Sequence, residues 1–193
     1  MTWPAWLPRV LVESALIVFS VLVALAVDQW RDERGTRVRA REAIAAITSE
    51  LQANRAAASR SRSFHQEAHR ALKEIASQKR LPSVEEMTRG NVFQPATILQ
   101  TAWTTARDTG ALQPVPFEVL LKLSLVYEAQ QSYARLADAI VDDFYTDVRR
   151  RGIDAVVREG FAGFTLLTAD FSGREQRLVE RYDETLAMLA ALR

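Results

Sequence analysis

Two kinds of apolar pattern divide the chain. From Val10 to Val27 it reads VLVESALIVFSVLVALAV, eighteen residues that are apolar on every side and carry one charge, Glu13. At about 1.5 Å per residue a helix of this length spans roughly 27 Å, close to the hydrocarbon thickness of a bilayer. Trp3 and Trp6 precede the run and Trp30 follows it, amphipathic rings suited to the two interfaces. Pro4 and Pro8 stand against a longer helix on the N-terminal side. The pattern predicts a short tail over 1–9 and a transmembrane helix over 10–30. Ala24-Leu25-Ala26 has the form of a signal-peptide cleavage site, but the internal Glu13 and the lack of a basic leader favour a retained anchor.

Behind the anchor the apolar period changes to that of amphipathic helices. A long helix is predicted over 36–78, with one seven-residue row at Ile44, Leu51, Ala58, His65 and Leu72. A second row holds Ile47, Asn54, Ser61, Ala68 and Ile75. The seam is apolar at its ends and polar in its middle, which reads as a solvated stretch more readily than as a register device. Residues 79–95 break the pattern, with a capping box at Ser83 and Glu86 that opens one short turn. A short helix over 97–109 carries Trp103 as a core anchor and ends at Gly110.

Pro116 leads into a second long helix, predicted over 116–151. Its stripe is Val119, Leu123, Val126, Tyr133, Ala137, Ile140, Phe144 and Val148, with Gln130 as the polar exception. Arg149, Arg150 and Arg151 suit the negative end of that helix, and Gly152 stops it. Residues 153–171 read as a short helix and an irregular apolar connection. Ser172 and Glu175 then have capping-box form, opening a last helix over 173–192 with Leu178, Tyr182, Leu186 and Leu189 as its buried stripe. The expected fold is all-α: one N-terminal transmembrane helix, then an antiparallel helical bundle over 31–193.

Charge adds an orientation. Residues 31–79 hold eleven Lys/Arg against six Asp/Glu, whereas 80–193 hold thirteen against sixteen. The basic stretch therefore lies directly behind the apolar run, at Arg31, Arg34, Arg37, Arg39 and Arg41, with only Arg9 before it. That asymmetry places the helical domain on the cytoplasmic side. A basic segment beside an apolar span reads as membrane proximity, with lipid rather than nucleic acid as the partner. The chain has no cysteine, which excludes disulfides and thiol chemistry.

Two segments carry a resemblance. Glu13-Ser-Ala-Leu-Ile-Val-Phe-Ser-Val-Leu-Val-Ala-Leu-Ala-Val-Asp28-Gln-Trp30 resembles the start of a group of uncharacterised bacterial single-pass membrane proteins, in which a Glu opens the span and an acidic residue or Asn precedes a closing Trp. Ala102-Trp103 through Leu112, followed by the Leu-Ser-x-x-Tyr run at Leu123 to Tyr127, is similar to a second element of that group. The resemblance implies the same anchor-plus-helices layout in a bacterial inner membrane, and brings no catalytic residues with it.

Candidate chemistry is sparse. His65 and His69 lie four apart on one helix face, the spacing of a two-His metal site, yet a third ligand is missing and a half-exposed face is the plainer reading. Asp138, Asp142, Asp143 and Asp147 recur along the second long helix; without Glu-x-x-His elements they read as a solvated acidic face. Phosphate-loop, dinucleotide and nucleophile-elbow motifs are absent from the sequence. Glu13, Ser20, Ala24 and Asp28 share one side of the span, where Ser20 and Ala24 form a small-x-x-x-small step for a neighbouring helix. An Arg9–Glu13 pair is an equally good reading of Glu13. The expected role is a non-enzymatic accessory or scaffold subunit without a cofactor, docked on a larger membrane protein. Alternatives are a self-associating tethered coiled coil, paired with a second copy of itself, and a periplasmic ligand- or metal-binding bundle.

Overall fold

Every regular element among the described residues is a helix. The computed structural model describes residues 7–88 and 93–191, with side chains from Leu16 onward except those of Ile17, Met87 and Thr88. Helix α1 runs Leu7–Ser77, α2 Val84–Thr88, α3 Thr101–Asp108, α4 Phe117–Arg151 and α5 Ile153–Ala190. The expected anchor and first long helix are thus one helix of 71 residues that begins at Leu7, within the expected tail. Trp3, Trp6 and Pro4 lie outside the described residues, as does the side chain of Glu13. Continuity past Gly35 has a local cause. Glu33 accepts from Gln29 and Arg37, the Thr36 hydroxyl donates to the Asp32 carbonyl, and the Arg34 guanidinium lies 5.5 Å from the Trp30 ring centroid. These contacts one turn apart hold a helix that no other element covers.

The bundle begins at Ala40, the first buried residue of α1 among those whose side chains are described. Helix α5 runs antiparallel to α1, because Arg55 pairs with Asp183 while His69 meets Thr165. It also runs antiparallel to α4, because Tyr133 meets Glu175 while Phe144 meets Phe164. Helices α1 and α4 are therefore parallel and flank α5 without packing backbone to backbone. An extended strap, residues 93–100, fills the gap between them. The core joins Ile47, Leu51 and Ala58 to Leu123, Val126 and Tyr133, closed by Phe171, Leu178 and Tyr182. A smaller cluster at the far end holds Leu72 and Val157 with Phe161 and Phe164 packed on them.

The α4 stripe lies as expected, with Gln130 inside the core. The capping box at Ser83 is also present: the Ser83 amide donates to Glu86 Oε2 at 2.8 Å, and the Glu86 amide donates to Ser83 Oγ at 3.1 Å. Arg80 grips the same carboxylate, and with the Ser83 amide it holds the Glu86 pKa down at about 2. The turn after α3 is a Schellman motif, with Ala111 N–H on the Ala106 carbonyl and Gly110 at φ +69°.

Three expectations are corrected. Helix α3 starts at Thr101, because Asn54 claims both backbone polar groups of Leu99 and keeps 97–100 out of the helix. Residues 153–171 are regular helix, so the short helix, the irregular connection and the last helix merge into α5. Ser172 and Glu175 form no capping box; both lie inside α5, and Glu175 faces the core.

A single residue, Gly152, joins α4 to α5 at φ 77°, ψ 155°. That region is open to glycine and strained for any residue with a Cβ, although a Cβ there would meet no other atom within 4 Å. Gly152→Ala is expected to lower stability by about 1–3 kcal/mol through backbone strain alone. Thermal unfolding of the full chain checks this; an unchanged midpoint would show that the turn can relax.

Candidate functional site

Two carboxylates are buried in the bundle, and each organises a set of hydrogen bonds across three elements. Glu175 on α5 is fully buried. Its Oε1 accepts from the Tyr133 hydroxyl of α4 at 2.7 Å and from the Ser61 hydroxyl of α1 at 2.5 Å. His65 Nδ1 of α1 lies 2.9 Å from Oε2 and 3.0 Å from Oε1. The other imidazole nitrogen, Nε2, takes the Gln94 N–H of the strap at 3.3 Å. That contact needs a lone pair on Nε2, so the proton sits on Nδ1 and is donated to Glu175.

The strap is bound at every turn of this network. Ser61 Oγ lies 2.6 Å from the Gln94 carbonyl, and the Ala96 N–H donates to the Tyr133 hydroxyl at 2.8 Å. Asn54 Oδ1 receives the Leu99 N–H at 2.8 Å while its amide donates to the Leu99 carbonyl at 2.7 Å. Phe93 inserts its ring between His65 and Phe171, at centroid distances of 5.3 and 4.5 Å. Gln94, Ala96 and Leu99 of a segment without helix thus have backbone groups paired with side chains of α1 and α4.

Glu50 on α1 does the same for α3. Its carboxylate accepts the Ala102 N–H at 2.7 Å and the Trp103 N–H at 3.5 Å, which caps the open N-terminus of α3 from a different helix. The Tyr127 hydroxyl of α4 donates to the same carboxylate at 2.7 Å. Tyr127 also stacks on Trp103, 5.0 Å apart and 9° from parallel. Burial first, then donation to a glutamate, pushes the hydroxyls of Tyr127 and Tyr133 well above the ordinary tyrosine range. Both phenols therefore stay donors over any ordinary pH. Tyr182 is pushed up by burial too, against the neighbouring Gln130 amide, which lowers it without either group reaching full hydrogen-bond geometry.

These groups are chemically capable residues enclosed in the core. His65 and Glu175 are both fully buried, and Ser61 donates to an acid rather than facing a base. The arrangement satisfies charge and hydrogen bonds and latches the strap.

The expected positions distribute as follows. His65 is buried, not half-exposed, and its two nitrogens serve Glu175 and Gln94. His69 is half-buried as expected, with Nδ1 2.9 Å from the Thr165 carbonyl. The pair is not brought together on an open face, and among the described residues no three His, Cys, Asp or Glu side chains are placed to hold a metal. Asn54 and Ser61, read as solvated, are buried and bonded to the strap; their true partners lie 45 and 33 residues on. Asp138, Asp142 and Asp143 are exposed, and Asp147 pairs with Arg151 at 2.8 Å. Trp103 packs against the core. Sequence reasoning missed Glu50, Tyr127 and Glu175 as a set. The one available signal was an acidic or aromatic-polar residue at an otherwise apolar helix position.

Glu175→Ala is expected to cost about 3–5 kcal/mol, because it strands His65 together with the hydroxyls of Ser61 and Tyr133 in the core. Arg55→Ala breaks an α1–α5 pair that is solvent-exposed, and should change stability little. Urea unfolding of both variants tests the contrast; equal losses would show that the buried network is no latch. No protein-family model, curated protein or solved structure matches this chain.

Proposed function

We propose that this chain is a membrane-anchored, non-enzymatic accessory or scaffold subunit, with α1 as anchor and the bundle as a rigid cytoplasmic body. The supporting observation is the bare N-terminal part of α1. Leu16, Val18, Phe19, Val21, Leu22, Val23, Leu25 and Val27 are all 45–65% exposed and point to every side of the helix. An all-round apolar rod that no bundle element covers matches lipid better than water. Ser20 suits that setting as well, since its hydroxyl donates to the Leu16 carbonyl at 2.8 Å and needs no other partner. Among the described residues no helix is long and apolar enough to cross a membrane; the expected span begins at 10–15 and Ile17, whose side chains lie outside them.

The heptad seam of α1 is covered by α5 and the strap, so pairing with a second copy through that seam has no free surface. What remains for another integral membrane protein, or for a second copy, is the side of the span holding Glu13, Ser20, Ala24 and Asp28. The periplasmic binding-bundle reading gains nothing from the interior, where His65 and Glu175 already satisfy each other. The resemblance to bacterial single-pass proteins agrees with an inner-membrane location, and Arg31, Arg34, Arg37, Arg39 and Arg41 are all exposed for a cytoplasmic surface.

The protein should stay with membranes through an alkaline carbonate wash, and a reporter active only in the cytoplasm should work when fused after Arg193. Release at full length would remove the anchor, and a signal only from a periplasm-dependent reporter would reverse the topology. Ser20→Leu and Ala24→Leu should insert normally yet reduce co-purification with the partner, whereas Val18→Leu and Val23→Leu on other faces should not. Equal recovery from all four variants would leave the span as a plain anchor.

A further inference from the structure

The end of the bundle nearest the bare part of α1 has a chemistry of its own. Arg37, Arg41 and Ile44 of α1, Val115 and Pro116 of the turn before α4, and Leu189 of α5 line one open groove. Phe117, next to Pro116, is 76% exposed, the most exposed large apolar side chain described. Leu121 and Leu125 continue its line one and two turns on. Arg37 meets only Glu33, at 3.4 Å, and among the described residues Arg41 meets no carboxylate. No acidic side chain lines the groove. The exposed carboxylates of Asp138, Asp142 and Asp143 lie toward the other end of α4.

We infer that this end of the bundle rests on anionic phospholipid headgroups of the leaflet from which α1 emerges, with the arginines on phosphates and Phe117 at the headgroup boundary. The inference rests on the anchored reading of α1. Distance supports it. Arg37 and Arg41 lie about 10 and 16 Å beyond Trp30 along the helix axis. Side chains of a helix lean toward its N-terminus, here toward the bilayer, as Arg34 does over Trp30. The headgroup layer reaches roughly 5–7 Å past the hydrocarbon, and an anionic surface acts for about a further 8–10 Å. Both guanidinium groups fall within that range. Helix α4 is parallel to α1, so Phe117 on its first turn leans the same way. A partner protein would cover the line of Phe117, Leu121 and Leu125 equally well. Arg41, which meets no carboxylate among the described residues, and the absence of an acid in the groove favour phosphate.

The cysteine-free chain permits single-site labelling of the whole protein. Val21→Cys, Phe117→Cys and Tyr145→Cys would each carry a fluorophore in nanodiscs of phosphatidylcholine, with or without phosphatidylglycerol. Lipids bearing a nitroxide on the acyl chain or on the headgroup serve as quenchers. The Val21 label should be quenched by the acyl nitroxide in both compositions. The Phe117 label should be quenched by the headgroup nitroxide, and more strongly with phosphatidylglycerol; the Tyr145 label should not respond. Arg37→Gln with Arg41→Gln should lower the docked-to-free ratio about thirty-fold, each arginine near an anionic surface contributing about five-fold. A Phe117 label that ignores phosphatidylglycerol, or that stays unquenched while Val21 responds, would overturn the lipid surface and leave the anchor intact. An unquenched Val21 label would overturn the anchor itself, and the docking with it.

Discussion

A carboxylate taken out of water must be met by donors, and this bundle buries two. Glu175 and Glu50 each recruit a tyrosine from α4, Tyr133 and Tyr127, six residues apart on one helix. Each also fixes backbone that would otherwise have no regular partner: α3 through the amides on Glu50, and the strap through Ser61, His65 and Tyr133 around Glu175. Removing either acid would leave several donors stranded together, so the spacing of α1, α4 and α5 is set by hydrogen-bond length as much as by side-chain volume. The extended strap belongs to this solution. Two parallel helices that do not touch need something between them, and 93–100 supplies apolar bulk at Phe93 with a backbone already paired.

What the sequence revealed follows from how far apart the partners are. The α4 stripe was legible because amphipathic period is local, and Val119 to Ala137 bury as the period predicts. The capping box at Ser83 was legible for the same reason. The identical spacing at Ser172 and Glu175 misled, because the partners of Glu175 lie on α1 and α4, up to 114 residues away. Gly160 and Gly163 made the first part of α5 look broken, yet a long helix packed on two neighbours tolerates glycines that would weaken it alone. The polar middle of the α1 seam was seen and misassigned. Asn54, Ser61 and His65 are the positions where α1 meets the strap rather than solvent.

The two parts of the second resembling segment meet in space within the bundle. Trp103 of the Ala102–Leu112 part stacks on Tyr127 of the Leu123–Tyr127 run, and both rest on Glu50. They form a packing unit: one aromatic pair and one acid that together seat a short helix against two long ones.

Helix α1 has no break between Leu7 and Ser77. Ser77 lies forty-seven residues on from Trp30, which at about 1.5 Å each makes a lever of roughly 70 Å. On the proposed anchored reading of α1, a change of tilt of about 10° in the bilayer would swing its far end by roughly 12 Å, with α4, α5 and the strap carried along as cargo. Any protein that grips the span could therefore steer the bundle without touching it, and the bundle could report lateral pressure on the span as displacement at its tip.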